Sequence, residues 1–377
     1  PFYALEYDQG RVTATFDSAE AVRASRAPER INGRGATLLP GLIDAHGHVA
    51  RYGVALKSGA ASDESTASVM ESPDSAAPTA TLLSKRVEIF RATRHLASLG
   101  LTAVHDAGAS ALELDAYESL LVDGELPIRV YAMLNMEDPD IERKFELGPW
   151  EDEARMFAAR SVIINADTAQ NFQSAVLRDG YSDDPDSELS EERALAELML
   201  LALNQGYQLN ILAKNDRTTA LVLDKFAALN QDSESRSRRH RIEDVVLVKP
   251  ADIKRFRDLG VIASIQPMGS GASDDAKVFD SKGQPAKGAA LWPALRRQGA
   301  RLSGGSDFPA GSANPFHSLH AAVTLQDRDG NPLGDWYPEA RFSREQALAL
   351  FTVGAAYASH LEDFTGKLAP GYAADFI

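Results

Sequence analysis

The sequence contains no cysteine, which removes disulfide staples, thiolate nucleophiles and Cys-based zinc sites together. Any metal must be held by histidine and carboxylate, and only 8 His are present. No apolar run approaches the roughly 18 residues that cross a bilayer, so no membrane-embedded segment is expected. A basic excess is missing too: 39 Lys and Arg stand against 54 Asp and Glu, a formal net charge of −15. Nucleic-acid binding needs a basic footprint, so a polyphosphate partner is excluded and the acidity serves solubility. The N-terminus, Pro1-Phe2-Tyr3-Ala4, has neither the basic start nor the apolar stretch of a signal peptide. It also lacks an initiator Met, as a processed or partial product would. Cytoplasm and periplasm suit such a chain equally, and nothing in it selects an oligomeric state.

What is present is an alternation. Ala4-Leu5-Glu6-Tyr7, the Asp8-Gln9-Gly10 turn and Val12–Phe16 read as a hairpin. An apolar run, Ala36–Ala45, then ends in polar residues, as a strand does when it delivers side chains to a site. Residues 50–80 are small and polar without a period, and read as a loop or a partly disordered segment. Strand-like runs follow at Leu101–Asp106, Pro127–Leu134, Ser161–Asp167, Gly206–Ala213, His240–Asp244, Val261–Gln266 and Arg301–Asp307. Helical patterns separate them, among them Leu82–Leu99, Glu191–Asn204, Thr218–Leu229, Pro250–Leu259 and Ala289–Arg297, and Ser343–Ser359 closes the series. With the strand ending at Ala45 this makes eight βα units, which suits a closed α/β barrel, a (β/α)8 TIM-like fold, better than an open sheet. No G-x-G-x-x-G follows the first strand, which counts against a dinucleotide fold.

Residues i and i+2 of a strand share a face, so His46-Gly47-His48 sends two imidazoles the same way, with Gly47 leaving room between them. At the C-terminal end of strand one both would enter the mouth of a barrel. Alone, H-x-H fits a pair of surface or capping histidines as readily. His105 beside Asp106 would contact substrate or make a structural hydrogen bond. His240 reads as a buried, satisfied histidine, and His95, His317, His320 and His360 as structural. Lys214 faces solvent or supplies the charge of a missing metal. Asp183-Asp184-Pro185-Asp186 reads as a solvated loop.

Leu39-Pro40-Gly41-Leu42-Ile43-Asp44-Ala45-His46-Gly47-His48 resembles the signature of the amidohydrolase superfamily. Ser303-Gly304-Gly305-Ser306-Asp307-Phe308-Pro309 resembles its last-strand aspartate, and Gly366–Asp375 its return into a small β-domain. Leu101–Gly108, Arg239-His240-Arg241-Ile242-Glu243 and Ala263-Ser264-Ile265-Gln266-Pro267 are similar to the branch containing N-substituted formamide deformylases. The resemblance implies a barrel at 37–365 and a small β-sandwich domain built from 1–36 and 366–377. It also implies one or two divalent ions, usually zinc, held by the strand-one histidines and the last-strand aspartate, with a Lys (often carboxylated) and two His from strands four to six. Here Ile163 stands in the place of the Lys, and Leu212 and Asp244 in the places of those histidines. Leucine and isoleucine ligate nothing, so a second metal site is not expected.

The expectation is therefore one divalent ion, zinc, on His46, His48 and Asp307 with Asp244. Asp307 carries protons, while His105 and Lys214 meet the substrate, a small molecule. The reaction implied is hydrolysis of a carbon–nitrogen bond other than a peptide bond. The alternatives are a barrel that binds a small polar ligand without catalysis, and a metal-free enzyme using Lys214 with Asp307. Without a cation, the carboxylates of Asp244 and Asp307 would repel and one would keep its proton; a metal or the Lys214 ammonium would relieve this.

Overall fold

Two short strands open the chain. β1 (Ala4–Asp8) and β2 (Arg11–Phe16) pair antiparallel around Gln9 and Gly10, which both have positive φ (46° and 73°), as a tight hairpin turn requires. This computed structural model describes residues 2–59, 80–167, 185–229, 236–268, 291–326, 328–330 and 338–377. Most of the segment expected as a loop at 50–80, and Asp183 and Asp184 of the acidic run, lie outside these residues.

Eight parallel strands follow: β3 (Leu42–Gly47), β4 (Leu101–Ala109), β5 (Arg129–Asn135), β6 (Phe157–Asn165), β7 (Gln208–Leu212), β8 (Arg241–Glu243), β9 (Ile262–Ile265) and β10 (Arg301–Gly304). They neighbour one another in sequence order. Just past β10 the chain returns to β3: Gly47 and Phe308 form a parallel bridge, Asp307 N–H donates to the His46 carbonyl and His48 N–H to the Phe308 carbonyl, both at 2.8 Å. The eight expected strands are all present, and these bonds nearly close them into a TIM-like barrel.

Strand alternation sorts the residues. Leu42, Val104, Val130, Val162, Ile164, Leu209, Ile211, Ile242, Ala263 and Ile265 belong to one large apolar cluster with the helices. Their alternates lie in two small clusters, Ile43, Ala45 and Ala103 with the helical Ala355 and Ala356, and Ala107, Met133 and Ile163 with Leu212 against them. Buried polar side chains also fall on these alternate positions: His105, Gln208, Asn210, Arg241, Glu243 and Ser264. The interior is thus apolar at two levels with hydrogen-bonding groups between.

Three elements differ from expectation. The stretch after His48 is helical, α1 (Val49–Ser58), before it leaves the described residues. Its small residues do not signal disorder; they allow contact with α2 (Leu82–Ser98). A Cβ on Gly53 would lie 2.1 Å from the Glu88 carbonyl oxygen. Gly53→Ala should accordingly cost about 1–3 kcal/mol through overpacking, read as a lower urea midpoint at unchanged slope; a midpoint equal to wild type would show that the helices can part freely. The helix expected at 191 begins at Pro185, where a first-turn proline is pre-set for helix. The last helix is broken by a π-turn, Leu350–Gly354, at which Gly354 approaches the Leu302 carbonyl so closely that a Cβ would sit 2.3 Å from it.

The termini meet. Arg11 bridges Ala373 and Pro40 bridges Phe376, both antiparallel, and Leu39 and Ile377 exchange two backbone hydrogen bonds at 3.0 Å. Arg129 on β5 anchors this seam through Asp375 at 2.9 Å. Among the described residues the terminal segments form the two-stranded hairpin and this seam, not two facing sheets.

Candidate metal centre

Barrel closure is what assembles the site. The bonds that join 46–48 to 307–308 bring the ends of β3 and β10 side by side, and Asp44 secures the junction by accepting from His46 N–H and Ser306 N–H, each at 3.1 Å. Burial raises the Asp44 carboxyl to about 6 against those hydrogen bonds. Two glycines are dictated by close approach. Gly305 has His46 backbone where its Cβ would stand, at 2.6 Å, and Gly47 has the Phe308 ring there, at 2.2 Å. The space at Gly47 therefore belongs to Phe308 and not to the gap between the imidazoles.

His46, His48 and Asp307 converge, with one ligand atom from each all within 4.8 Å of one another. The imidazoles stand perpendicular, with centroids 5.7 Å apart. Asp307 Oδ1 lies 3.2 Å from His48 Nε2 and 3.9 Å from His46 Nε2. Asp307 adopts φ +57°, a left-handed conformation that Asp tolerates better than most residues. Burial pushes its carboxyl up, but the His48 hydrogen bond and the charges of His46, His48 and Lys214 outweigh it and hold the group below the usual carboxylate range. These neighbours, Lys214 among them, favour the charged carboxylate at Asp307.

Asp244, at φ +58° past β8, is buried but outside the three-residue cluster. Its Oδ2 is 2.9 Å from Lys214 Nζ, so the ammonium does neutralise a carboxylate, and the lysine is 41% exposed. Lys214 N–H and the Asn215 amide both donate to Asp167. Ile163 and Leu212 join Ala107 and Met133 in an apolar wall.

His105 was expected at the end of its strand, yet β4 runs on to Ala109 and buries it completely. Its Nδ1 lies 3.0 Å from Arg241 Nη1, and burial, then the charges of Arg241 and His46, hold its pKa well below the usual value. A structural hydrogen bond was one of its two expected roles, and the bond with Arg241 is that one. Sequence reading missed Glu243, whose Oε2 is 2.8 Å from His46 Nδ1, and Arg241, whose Nε is 2.7 Å from Glu243 Oε1. The available signal was two opposite charges two residues apart on an interior strand. Burial works to lower the His46 pKa, but the hydrogen bond and charge of Glu243, with Asp244 and Asp307, carry it to about 9.

His240 is buried, as expected, but satisfied only at Nδ1, its Nε2 having no hydrogen-bond partner among the described residues. Its Nδ1 accepts from Leu209 N–H at 3.0 Å and its ring stacks on Phe226 at 5.2 Å. Burial, then Arg238 and His360, bring its pKa down to about 3. The folded state therefore refuses a proton that the unfolded chain takes near 6.5, and stability drains as pH falls between those values at about 1.4 kcal/mol per pH unit. His240→Asn keeps an acceptor and cannot titrate. The stability gap between wild type and this variant should narrow by about 2 kcal/mol from pH 7 to pH 5; a gap independent of pH would contradict the assignment.

Residues 76–377 match the amidohydrolase family. The chain belongs to that family. Protein LONG AFTER FAR-RED 3 of Arabidopsis thaliana is 28% identical over 318 residues, covering 78% of this chain and 52% of that protein. The N-substituted formamide deformylase of Arthrobacter pascens is 22% identical over 297 residues, covering 74% and 52%. This amidohydrolase chain thus spans about half the length of the curated relatives it matches. Among solved structures, an uncharacterized metal-dependent hydrolase from Pyrococcus furiosus superposes with TM-score 0.76 at 22% identity, over 99% of this chain and 94% of the other. An adenosine deaminase from Xanthomonas campestris with bound zinc gives 0.63 at 18%, over 99% and 78%. These two likenesses are of fold.

Proposed function

We propose that this amidohydrolase holds one divalent ion, zinc, and hydrolyses a carbon–nitrogen bond of an amide or formamide type, other than a peptide bond, in a small molecule. The observation that carries this is the convergence of His46, His48 and Asp307 within 4.8 Å at the mouth of the barrel. Two imidazole nitrogens and a carboxylate oxygen are a donor set that zinc accepts while keeping a position open. Three carboxylates, Glu243, Asp244 and Asp307, already favour positive charge at His46, which suits a cation. The bound ion would supply Lewis acidity and an activated water.

His46 and His48 hold the ion in this reading. Asp307, 29% exposed and in contact with both imidazoles, is the group that takes a proton from the attacking water and returns it to the leaving nitrogen. Asp244 completes the ligand set to four if Lys214 releases it; otherwise Lys214 and Asp244 line the mouth toward the substrate. The apolar wall of Ile163 and Leu212 suits an apolar part of the substrate and offers no ligand to a second ion. The barrel at 37–365 and the terminal segments 1–36 and 366–377 form the two units of this reading.

Elemental analysis of protein purified without chelators should return no more than one tightly bound divalent ion per chain. Two would refute the argument from Ile163 and Leu212. None would favour the second reading, a barrel binding a small polar ligand, for which the self-neutralised Lys214–Asp244 pair is the supporting observation. With one ion bound, release of amine from a panel of formamides and N-acyl amines tests the activity, and His48→Ala should abolish it.

A further inference from the structure

Arg241 and Glu243, part of a motif that no role above absorbs, lie two apart on β8 and are both fully buried. Two full charges inside a barrel demand a reason. The oxygens of Glu243 are divided: Oε1 faces Arg241 Nε at 2.7 Å and Oε2 faces His46 Nδ1 at 2.8 Å. Arg241 spends its other donors on His105 Nδ1 (3.0 Å), the Ala45 carbonyl (2.7 Å) and Ser264 Oγ (3.4 Å). Nε and Oε1 meet as an ion pair and not as an aligned hydrogen bond, and a guanidinium keeps its positive charge, so it is charge that holds Glu243 Oε1 beside Arg241. Because Ala45 precedes His46, the same guanidinium grips the carboxylate and the backbone on either side of that imidazole.

We propose that Glu243, locked by Arg241, is the positioning residue of the metal centre, accepting the Nδ1 proton of His46 and so turning its Nε2 lone pair toward His48 and Asp307. This rests on His46 being a ligand and adds a residue outside the ligand set. A neutral imidazole carries one proton, and the partner at one nitrogen decides which nitrogen is free. The 3.9 Å from His46 Nε2 to Asp307 Oδ1 shows that Nε2 already points at the cluster. A carboxylate and an amide of the same shape act differently at this position. Glutamine at 243 has one oxygen and one NH2, and the guanidinium charge beside Oε1 favours the oxygen on that side. The NH2 then donates to His46 Nδ1 and forces the ring proton onto Nε2, the nitrogen meant for the ion.

The test compares the full wild-type chain with Glu243→Gln, using zinc alone as the probe. Zinc affinity is read by chelator competition, and the ring nitrogens by NMR of protein labelled with 15N-histidine. In zinc-loaded wild type, His46 should keep its proton on Nδ1 and bind through Nε2. Glu243→Gln should weaken zinc by about 10–100-fold, the usual effect of losing such a partner. Adding Arg241→Met to Glu243→Gln frees the amide to turn its oxygen to His46, and most of the lost affinity should return. Zinc bound as tightly by Glu243→Gln as by wild type would overturn the proposal. So would a wild-type His46 that binds through Nδ1, a measurement that needs no variant to fold. Wild type that takes up no zinc would fell the metal centre along with the positioning role, whereas zinc held through Nδ1 fells the positioning role alone.

Discussion

Arg241→Met is expected to destabilise the protein by about 3–5 kcal/mol, the usual cost of leaving one member of a buried ion pair uncompensated. Both side chains of the pair are at zero exposure, so among the described residues the charge left on Glu243 keeps only His46, at its other oxygen, as an ionisable partner. Burial tends to raise the Glu243 pKa, and the charge of Arg241, followed by the His46 hydrogen bond, holds it below the usual range; removing the guanidinium removes the largest opposing influence. The loss extends beyond one pair, because the Ala45 carbonyl and His105 lose donors at the same time. Glu243→Gln added to Arg241→Met withdraws the orphaned charge, and replacing both charges of a buried pair is often close to neutral. The double variant should therefore be more stable than Arg241→Met alone, with a coupling energy above about 1 kcal/mol, the range for residues that share a network. Urea unfolding of the four proteins in the cycle provides the numbers. Simple additivity would mean that the charges do not interact across this strand, and that water or another cation compensates Glu243.

The barrel and the cluster of His46, His48 and Asp307 were legible in the sequence, and the partners of His46 were not. Eight strands were legible because parallel strands buried on both faces are short apolar runs bounded by turns, and each such run from Leu101 to Asp307 is a strand of the barrel. His46, His48 and Asp307 were legible because they sit in short phrases whose spacing follows from strand geometry. The pairing of Glu243 with His46 joins residues 197 positions apart and depends on barrel closure, which no local pattern reports. His105 shows the same blindness from the other side. It looked terminal because the polar Asp106 follows it, but Asp106 is itself buried, accepting from Val49 N–H and the Tyr117 hydroxyl, and the strand continues. Small residues misled as well: at Gly53 and Gly354 they mark close packing, and the same composition was taken for a loop at the first and for an unbroken helix at the second. In both cases composition reports how near a neighbour comes, and the neighbour is distant in sequence.

Asp244→His together with Leu212→His and Ile163→Lys is expected to raise bound zinc from one ion per chain to two. The three positions lie at or near the C-terminal ends of β6, β7 and β8, where the resemblance implies a Lys and two His. The substitutions act on an apolar wall, since Ile163 and Leu212 pack with Ala107 and Met133. An ammonium set there alone would cost several kcal/mol or lose its proton, so the variant should be markedly less stable than wild type in chelator. Zinc that binds only the folded state adds about 2.7 kcal/mol at a concentration 100 times its dissociation constant, so supplying the metal should recover most of that loss. Asp244→His also releases Lys214 from its partner, but Lys214 is 41% exposed and water takes up its charge at little cost. Elemental analysis and thermal melts with and without zinc decide the matter. A variant that folds in chelator as stably as wild type, or binds only one ion when saturated, would show that the wall has collapsed over the new side chains and that Ile163 and Leu212 do more than occupy vacated ligand positions. A variant that binds two ions yet hydrolyses no formamide or N-acyl substrate would place the limit on its chemistry in the substrate-binding surface and not in the ligands.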